Sequence, residues 1–206
     1  KCGVNVNALV QDAAQRTPLS LAVERGLDSV VKLLLDSNAD HRVPDRTSRW
    51  TAAHMAASLG FVPIIDMLIA RNANMNAADD LGDTVLHAAV RSGQKGVVQV
   101  LLTKTQINLE VVNARGETAL HTLALYPKEG SAGTLQLLFP RIKDMNPRDV
   151  DGNTPLICAY DSESTVLCKA FVSNGAHVGL ANNKGQTIFD IKITNKNFHR
   201  GMFNMV

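Results

Sequence analysis

The sequence predicts an all-α solenoid of about six helix-turn-helix repeats joined by β-hairpin-like connectors. Three observations predict it. Small-residue segments open on Thr17, Thr51, Thr84, Thr118, Thr154 and Thr187, which stand 34, 33, 34, 36 and 33 residues apart. A second apolar segment follows each of the first five, and a polar stretch rich in Gly, Asn and Asp then leads to the next threonine. Two short antiparallel helices bury their apolar faces only by stacking on neighbours, so a repeat of this length implies a stack.

The first segment of each unit is short and built from small side chains, as in Thr84-Val-Leu-His-Ala-Ala. Pro18 and Pro155 fall in the first helical turn, where a missing N–H costs nothing. Ala22, Ala56, Ala57, Ala88 and Ala89 let successive first helices approach closely. The segment ends near Gly26, Gly60 and Gly93, where the chain must turn through a left-handed residue. The second segments read VVKLLLDS, PIIDMLIARN, VVQVLLTK, TLQLLFPRI and VLCKAFVSNG. Leu33, Leu34, Leu68, Val100, Leu101, Leu137 and Leu138 recur in them and are expected to form the inter-repeat core. In the connectors, Gly82, Gly116, Gly152 and Gly185 each precede a threonine by two, at a tight turn that favours positive φ. Asp79, Asn113, Asp149 and Asn182 stand three residues earlier and suit the turn by bonding its backbone. Period, order of parts and the T-P-L-H-x-A-like segment resemble the ankyrin repeat, over essentially all of residues 4–206. The chain divides as one domain, with repeats over about 12–44, 45–78, 79–112, 113–148, 149–181 and a degenerate terminal unit 182–206; residues 1–11 close a preceding unit.

Composition narrows the function. Hydrophobic residues are 45% of the 206, a globular value. No apolar run reaches the roughly 20 residues of a membrane-spanning helix; Lys32, Pro63 and Asp66 interrupt the longest ones. The 21 basic residues are interspersed with 19 acidic ones for a net charge of +2, which argues against a nucleic-acid partner. Cys2, Cys158 and Cys168 are odd in number and lack CxxC spacing, so neither a disulfide framework nor a zinc site is expected. Cys158 and Cys168 read as inert buried thiols in a protein of a reducing compartment. No phosphate-loop motif occurs. His54, His87 and His121 come three residues after their threonines, one to a repeat, and so are spaced apart instead of converging. The ankyrin resemblance implies that they hydrogen-bond the threonine and brace the turn. Polar residues recurring at a fixed period do not make a catalytic constellation, so no catalytic residue, metal or cofactor is expected and the chain reads as a non-enzyme.

The start, KCGVNVNALV, has no methionine and no signal peptide, and residues 3–8 match the close of a repeat such as Ala73–Ala77. Further repeats are therefore expected upstream, with a first face that lacks a polar cap. The 36-residue unit carries an insertion placed between its helices at 126–133, and connector 42–50 has one extra residue and Arg49 where glycine is expected. That connector also holds the only tryptophan. Trp50 with its arginines is a candidate binding anchor; the alternative is that it folds onto a neighbouring connector.

From about Thr84 onward the sequence resembles something narrower, the last repeats of the rabankyrin family. The matching stretches are ArgGlyGluThrAlaLeuHis around Thr118, LeuTyrProLysGluGly at 125–130, AspGlyAsnThrProLeu at 151–156, AsnGlyAlaHisValGly at 174–179 and AsnAsnLysGlyGlnThrIlePheAsp at 182–190. The long unit and the Ile188-Phe189 ending fit that family as well. The family joins a BTB domain, many ankyrin repeats and a C-terminal FYVE zinc finger. The resemblance implies an effector of an early-endosomal Rab GTPase in endocytosis and macropinocytosis, on the cytosolic face of early endosomes. Its partner would be a protein, such as an endosomal Rab GTPase or a membrane-remodelling protein. Lipid contact would come from the FYVE finger, whose cysteine pairs and basic motif do not occur in this stretch, so no lipid-binding or zinc residue carries over.

The ankyrin resemblance also implies a concave groove formed by connector tips and first helices, at the positions just before each threonine and seven to eight after it. Among these, Arg25, Arg49, Trp50, Leu81, Arg91 and Tyr126 are the candidate partner-binding residues, arginine and aromatic side chains being the usual anchors. The remaining groove charges, Asp83 and Glu117 among them, read as solvated. Alternatives are a signalling or transcription-regulating adaptor, and a structural spacer in a longer array.

Overall fold

The computed structural model describes residues 5–10 and 15–191. Cys2, part of the preceding-unit stretch and most of the terminal repeat lie outside the described residues. Helix pairs fill the predicted period: α1 (Pro18–Glu24) with α2 (Asp28–Asp36), α3 (Ala52–Leu59) with α4 (Val62–Ala70), α5 (Val85–Arg91) with α6 (Lys95–Lys104), α7 (Ala119–Leu125) with α8 (Ser131–Leu138), and α9 (Pro155–Asp161) with α10 (Thr165–Ser173). A short 3-10 turn, Phe139–Arg141, extends α8. At the sixth threonine the described residues make only a turn.

Each first helix starts because its threonine is extended and caps the open N–H groups, as the Thr51 backbone does at φ −82°, ψ 169°. The residue three places on completes the cap in whatever way its chemistry allows. His54, His87 and His121 accept at Nδ1 from the backbone N–H of Thr51, Thr84 and Thr118 at 3.3, 3.1 and 3.1 Å. With Nδ1 accepting, Nε2 carries the proton and donates to a carbonyl of the following connector: Asp83 O for His54 at 3.2 Å, Asn153 O for His121 at 3.0 Å. Where the sequence has no histidine, Thr17 and Thr154 hold the Ser20 and Ile157 N–H groups with their own hydroxyls, at 3.1 and 3.3 Å.

The chain forms two compact units, residues 1–108 and 109–206. In the first, α3 packs between α1 and α5, and α4 packs between α2 and α6. Ala56, Ala57 and Ala89 are wholly excluded from solvent, which is the close approach that small residues permit. The second helices supply Val31, Leu35, Ile64, Ile65, Leu68, Val97, Val98 and Leu101, all buried. Each contributes about 1.5–3 kcal/mol by leaving water. In the second unit α7 packs on α9 and α8 on α10, and the fully buried Phe171 is among its largest core side chains.

The expected core needs correcting. Leu68, Leu101 and Leu138 are buried as expected, but Leu33 is 64% exposed and Leu34, Val100 and Leu137 are only half-buried. Successive residues on a helix lie about 100° apart, so a run such as VVKLLL cannot all face inward. Val31 and Leu35, four apart, take the inner face of α2. Val30 is 39% exposed although its counterparts Ile64, Val97 and Leu167 are buried. Those three pack on a preceding helix pair, and among the described residues none precedes α1.

The turns follow the glycine pattern with three substitutions. Gly26, Gly60 and Gly93 adopt φ of 63°, 79° and 74° between paired helices, and Glu163 takes the same place in the 154 repeat at φ 54°. In the connectors Gly82, Gly116, Gly152 and Gly185 have φ of 71–77°, and Gln15 and Arg49 occupy the equivalent place at φ 45° and 56°. A side chain on Gly152 would strike Asn183 of the next connector, so those two loops pack in contact. The insertion of the long unit lies between α7 and α8, at residues 126–130.

Candidate partner-binding surface

The connectors are rigid because an acidic or amide side chain closes each from within. Asp79 Oδ1 accepts from the N–H groups of Leu81 and Asp83 at 2.8 and 2.9 Å. Asn113, Asp149 and Asn182 repeat the arrangement with their own loops. In the connector with the extra residue Asp45 does this work, accepting from the Thr47 and Ser48 N–H groups at 2.9 and 2.8 Å. Burial alone would raise the Asp45 pKa; hydrogen bonds from Ser48 and Thr47 outweigh it and hold the carboxyl below the usual range. Tip-to-tip backbone bonds join neighbouring loops, Asp80 N–H to Ser48 O in the first unit and Val150 N–H to Arg115 O in the second.

This frame positions the candidate residues. In the first unit Arg49, Trp50 and Leu81 come together on the adjacent tips 45–50 and 79–84. Arg49 lies 3.5 Å from the Asp80 carboxylate with its side chain 63% exposed, and Leu81 is 61% exposed. Beside Arg49 is a shallow cleft of about 330 Å³ bordered by Leu9, Val43, Pro44 and Arg46. Trp50 is half-buried: its Nε1–H donates to Asp79 Oδ2 at 2.9 Å, and its ring stacks on His54 at 6.3 Å between centroids and 23° between planes. The indole thus lies on the neighbouring connector. Arg25 is exposed at the end of α1. Arg91, at the end of α5, pairs with Asp83 at 2.5 Å.

Asp83 and Glu117 are not solvated charges as the sequence suggests; they are 2% and 5% exposed. Asp83 is covered by the Arg91 pair, and Glu117 Oε2 accepts from Asn113 Nδ2 at 2.8 Å. Sequence reasoning placed both in the right register, just before a threonine, but that register does not reveal burial. A parallel pair with reversed charges, Arg16 and Glu24 at 2.6 Å, joins the same two positions in the first repeat.

Tyr126 lies in the second unit, 39% exposed at the end of α7. It borders a cleft of about 760 Å³ together with Leu125, Val150, Ile157, Cys158 and Asp161. Of this cleft the sequence reading named Tyr126 as a binding anchor and placed Arg115 and Glu117 in the groove register; Leu125, Val150, Ile157 and Asp161 come to it from successive repeats. Burial and the nearby Asp149, Glu117 and Asp161 carboxylates push the Cys158 thiol far above its ordinary pKa, so it is not a nucleophile at neutral pH. Burial pushes the Cys168 thiol up to about 12.

Comparison with known proteins agrees with this anatomy. The family model for ankyrin repeats in three copies matches residues 19–113 and also 54–149. Rabankyrin-5 of Mus musculus is 35% identical and that of Homo sapiens 36% identical over 195 residues, 93% of this chain. The chain spans only 16% of the length of either relative. The crystal structure of the ankyrin repeat domain of Bcl-3, a member of the IkappaB protein family, superposes with a TM-score of 0.73 at 26% identity, covering 84% of this chain and 78% of that one. No helix among the described residues is long and apolar enough to cross a membrane. With its helix pairs, capped threonines and hairpin-like connectors, the chain belongs to the ankyrin-repeat family.

Proposed function

We propose that this chain is a protein-interaction scaffold within an endosomal trafficking protein, acting with the Rab pathway in endocytosis and macropinocytosis on the cytosolic face of early endosomes. Ankyrin repeats form a family of non-enzymatic interaction modules, and that general role follows from the fold. The observation that carries the endosomal reading is the 35–36% identity to rabankyrin-5 over 93% of the chain. A match of that extent includes connector tips as well as helix cores, and the tips are the surface a partner meets. The partner is a protein, an endosomal Rab GTPase or a membrane-remodelling protein. Arg25, Arg49, Trp50, Leu81, Arg91 and Tyr126 are proposed contacts, with Arg49 and Leu81 at the centre because both are exposed on rigid, adjacent loops.

The test is capture from cytosol on the immobilised chain, with an Arg49→Ala/Leu81→Ala variant beside it and the retained proteins identified. Retention of endosomal Rab GTPases or membrane-remodelling proteins, weakened in the variant by about 2 kcal/mol in follow-up titration, is the expected outcome. Retention of nuclear or signalling proteins alone would overturn the endosomal reading. Trp50 is kept out of the variant because its substitution also removes a brace between connectors.

A further inference from the structure

We infer that the cleft of the second unit receives a basic, extended segment of a partner protein, with Arg or Lys side chains flanking an apolar residue. The inference rests on the reading of the chain as a protein-binding scaffold and gives it a partner chemistry. The cleft, about 760 Å³, has an apolar floor and a charged rim. Leu125, Ile157 and Cys158 supply the floor, and Val150, 62% exposed, stands at its edge without an apolar cover. The lining holds five carboxylates, Glu117, Asp149, Asp151, Asp161 and Asp190, against two cations, Arg115 and Lys184. An apolar floor requires a side chain to fill it, and a rim of this sign repels nucleic acid and anionic lipid while attracting a cationic peptide.

The charge is unbalanced for a local reason. In two of the three repeats of the first unit the residue before the threonine pairs with the residue seven after it: Arg16 with Glu24 at 2.6 Å, Asp83 with Arg91 at 2.5 Å; the third has Trp50 and Ser58 there. The second unit departs from this device. Asp161 shares that register with Asn153 and so meets no cation there, whereas Glu117, opposite Leu125, has the Arg115 guanidinium of its own connector at 4.0 Å. Asp151 and Asp161 are exposed and make no ion pair among the described residues. Asp149 and Glu117 are tied to their own loops but still project charge onto the floor, where they and Asp161 act on the buried Cys158 thiol.

The test is fluorescence anisotropy of a short fluorescein-labelled peptide alternating Arg and Leu, titrated with the full chain. The same peptide with Glu in place of Arg is run beside it. Saturable binding of the Arg peptide alone is expected, weakened roughly tenfold by Asp151→Asn/Asp161→Asn. The control Glu110→Gln/Glu129→Gln makes the same change in net charge at exposed positions outside the cleft, and should leave the affinity within roughly twofold. Absence of saturable binding, equal binding of the Glu peptide, or equal weakening by the two double variants would each overturn the inference. The assay uses no cell-derived partner. A silent peptide beside intact capture from cytosol therefore removes the cleft and leaves the scaffold reading in place.

Discussion

At Gln15, Arg49 and Glu163 the backbone adopts a shape that the equivalent places of the other repeats give to glycine. Glu163 and Arg49 hold φ of 54° and 56°, where a side chain costs about 1–2 kcal/mol because its Cβ crowds the following carbonyl. Glu163→Gly is therefore expected to raise stability by about 1 kcal/mol in denaturant unfolding; a loss would mean that the Glu163 side chain does something the turn depends on. Arg49→Gly should raise stability by a similar amount and, if Arg49 anchors a partner, lower affinity at the same time, a combination that simple destabilisation cannot produce. The capping histidines predict a pH dependence. Burial, only partly opposed by hydrogen bonding and nearby carboxylates, lowers the pKa of His54 and His121 below the ordinary 6.5. The unfolded chain then takes up protons that the folded one refuses, so stability is complete above pH 6.5 and falls as pH drops below it. Thermal unfolding from pH 7.5 to 5 should show this slope, and His121→Gln should flatten it; an unchanged slope in that variant would assign the acid sensitivity to other groups.

At the level of elements, the repeat period and the helix pairs were legible because both are written locally, in threonine, glycine and apolar spacing. The position of the insertion was also legible, since only one linker between paired helices could absorb it. The inner face of α2 was not. VVKLLLDS offers apolar residues all around a helix, and only the neighbouring pair decides that Val31 and Leu35 go inside while Leu33 stays 64% exposed. Trp50 shows the same limit, because its hydrogen-bond partner Asp79 is brought to it from the next connector by stacking, while its ring contact His54 is only four residues on. The indole is a brace between connectors, so Trp50→Ala should cost about 2 kcal/mol of stability through a lost part-buried hydrogen bond and ring contact. Arg49→Ala, at an exposed ion pair, should cost less than about 1 kcal/mol. Equal effects in thermal melts would contradict the division of roles between these adjacent residues.

At the scale of the whole chain, the candidate site was legible as a register and not as a surface. Positions before and after each threonine mark which side chains share the connector register, but their charge balance depends on which pairs close. Asp83 meets Arg91, whereas Asp161 has Asn153 in the matching place. Stability should be local in the same sense. A repeat stack gains its free energy from each unit and its nearest neighbours, so damage spreads only as far as the interfaces are strong. The chain's contacts separate into units 1–108 and 109–206, and Phe171 is wholly buried in the second, on α10. Phe171→Ala should remove about 3–5 kcal/mol by leaving a cavity between α10 and its neighbours. Native-state hydrogen exchange should then show amides of α9 and α10 losing protection while those of α3 and α5 keep theirs. Loss of protection in all four helices alike would mean that the two units unfold as a single cooperative block.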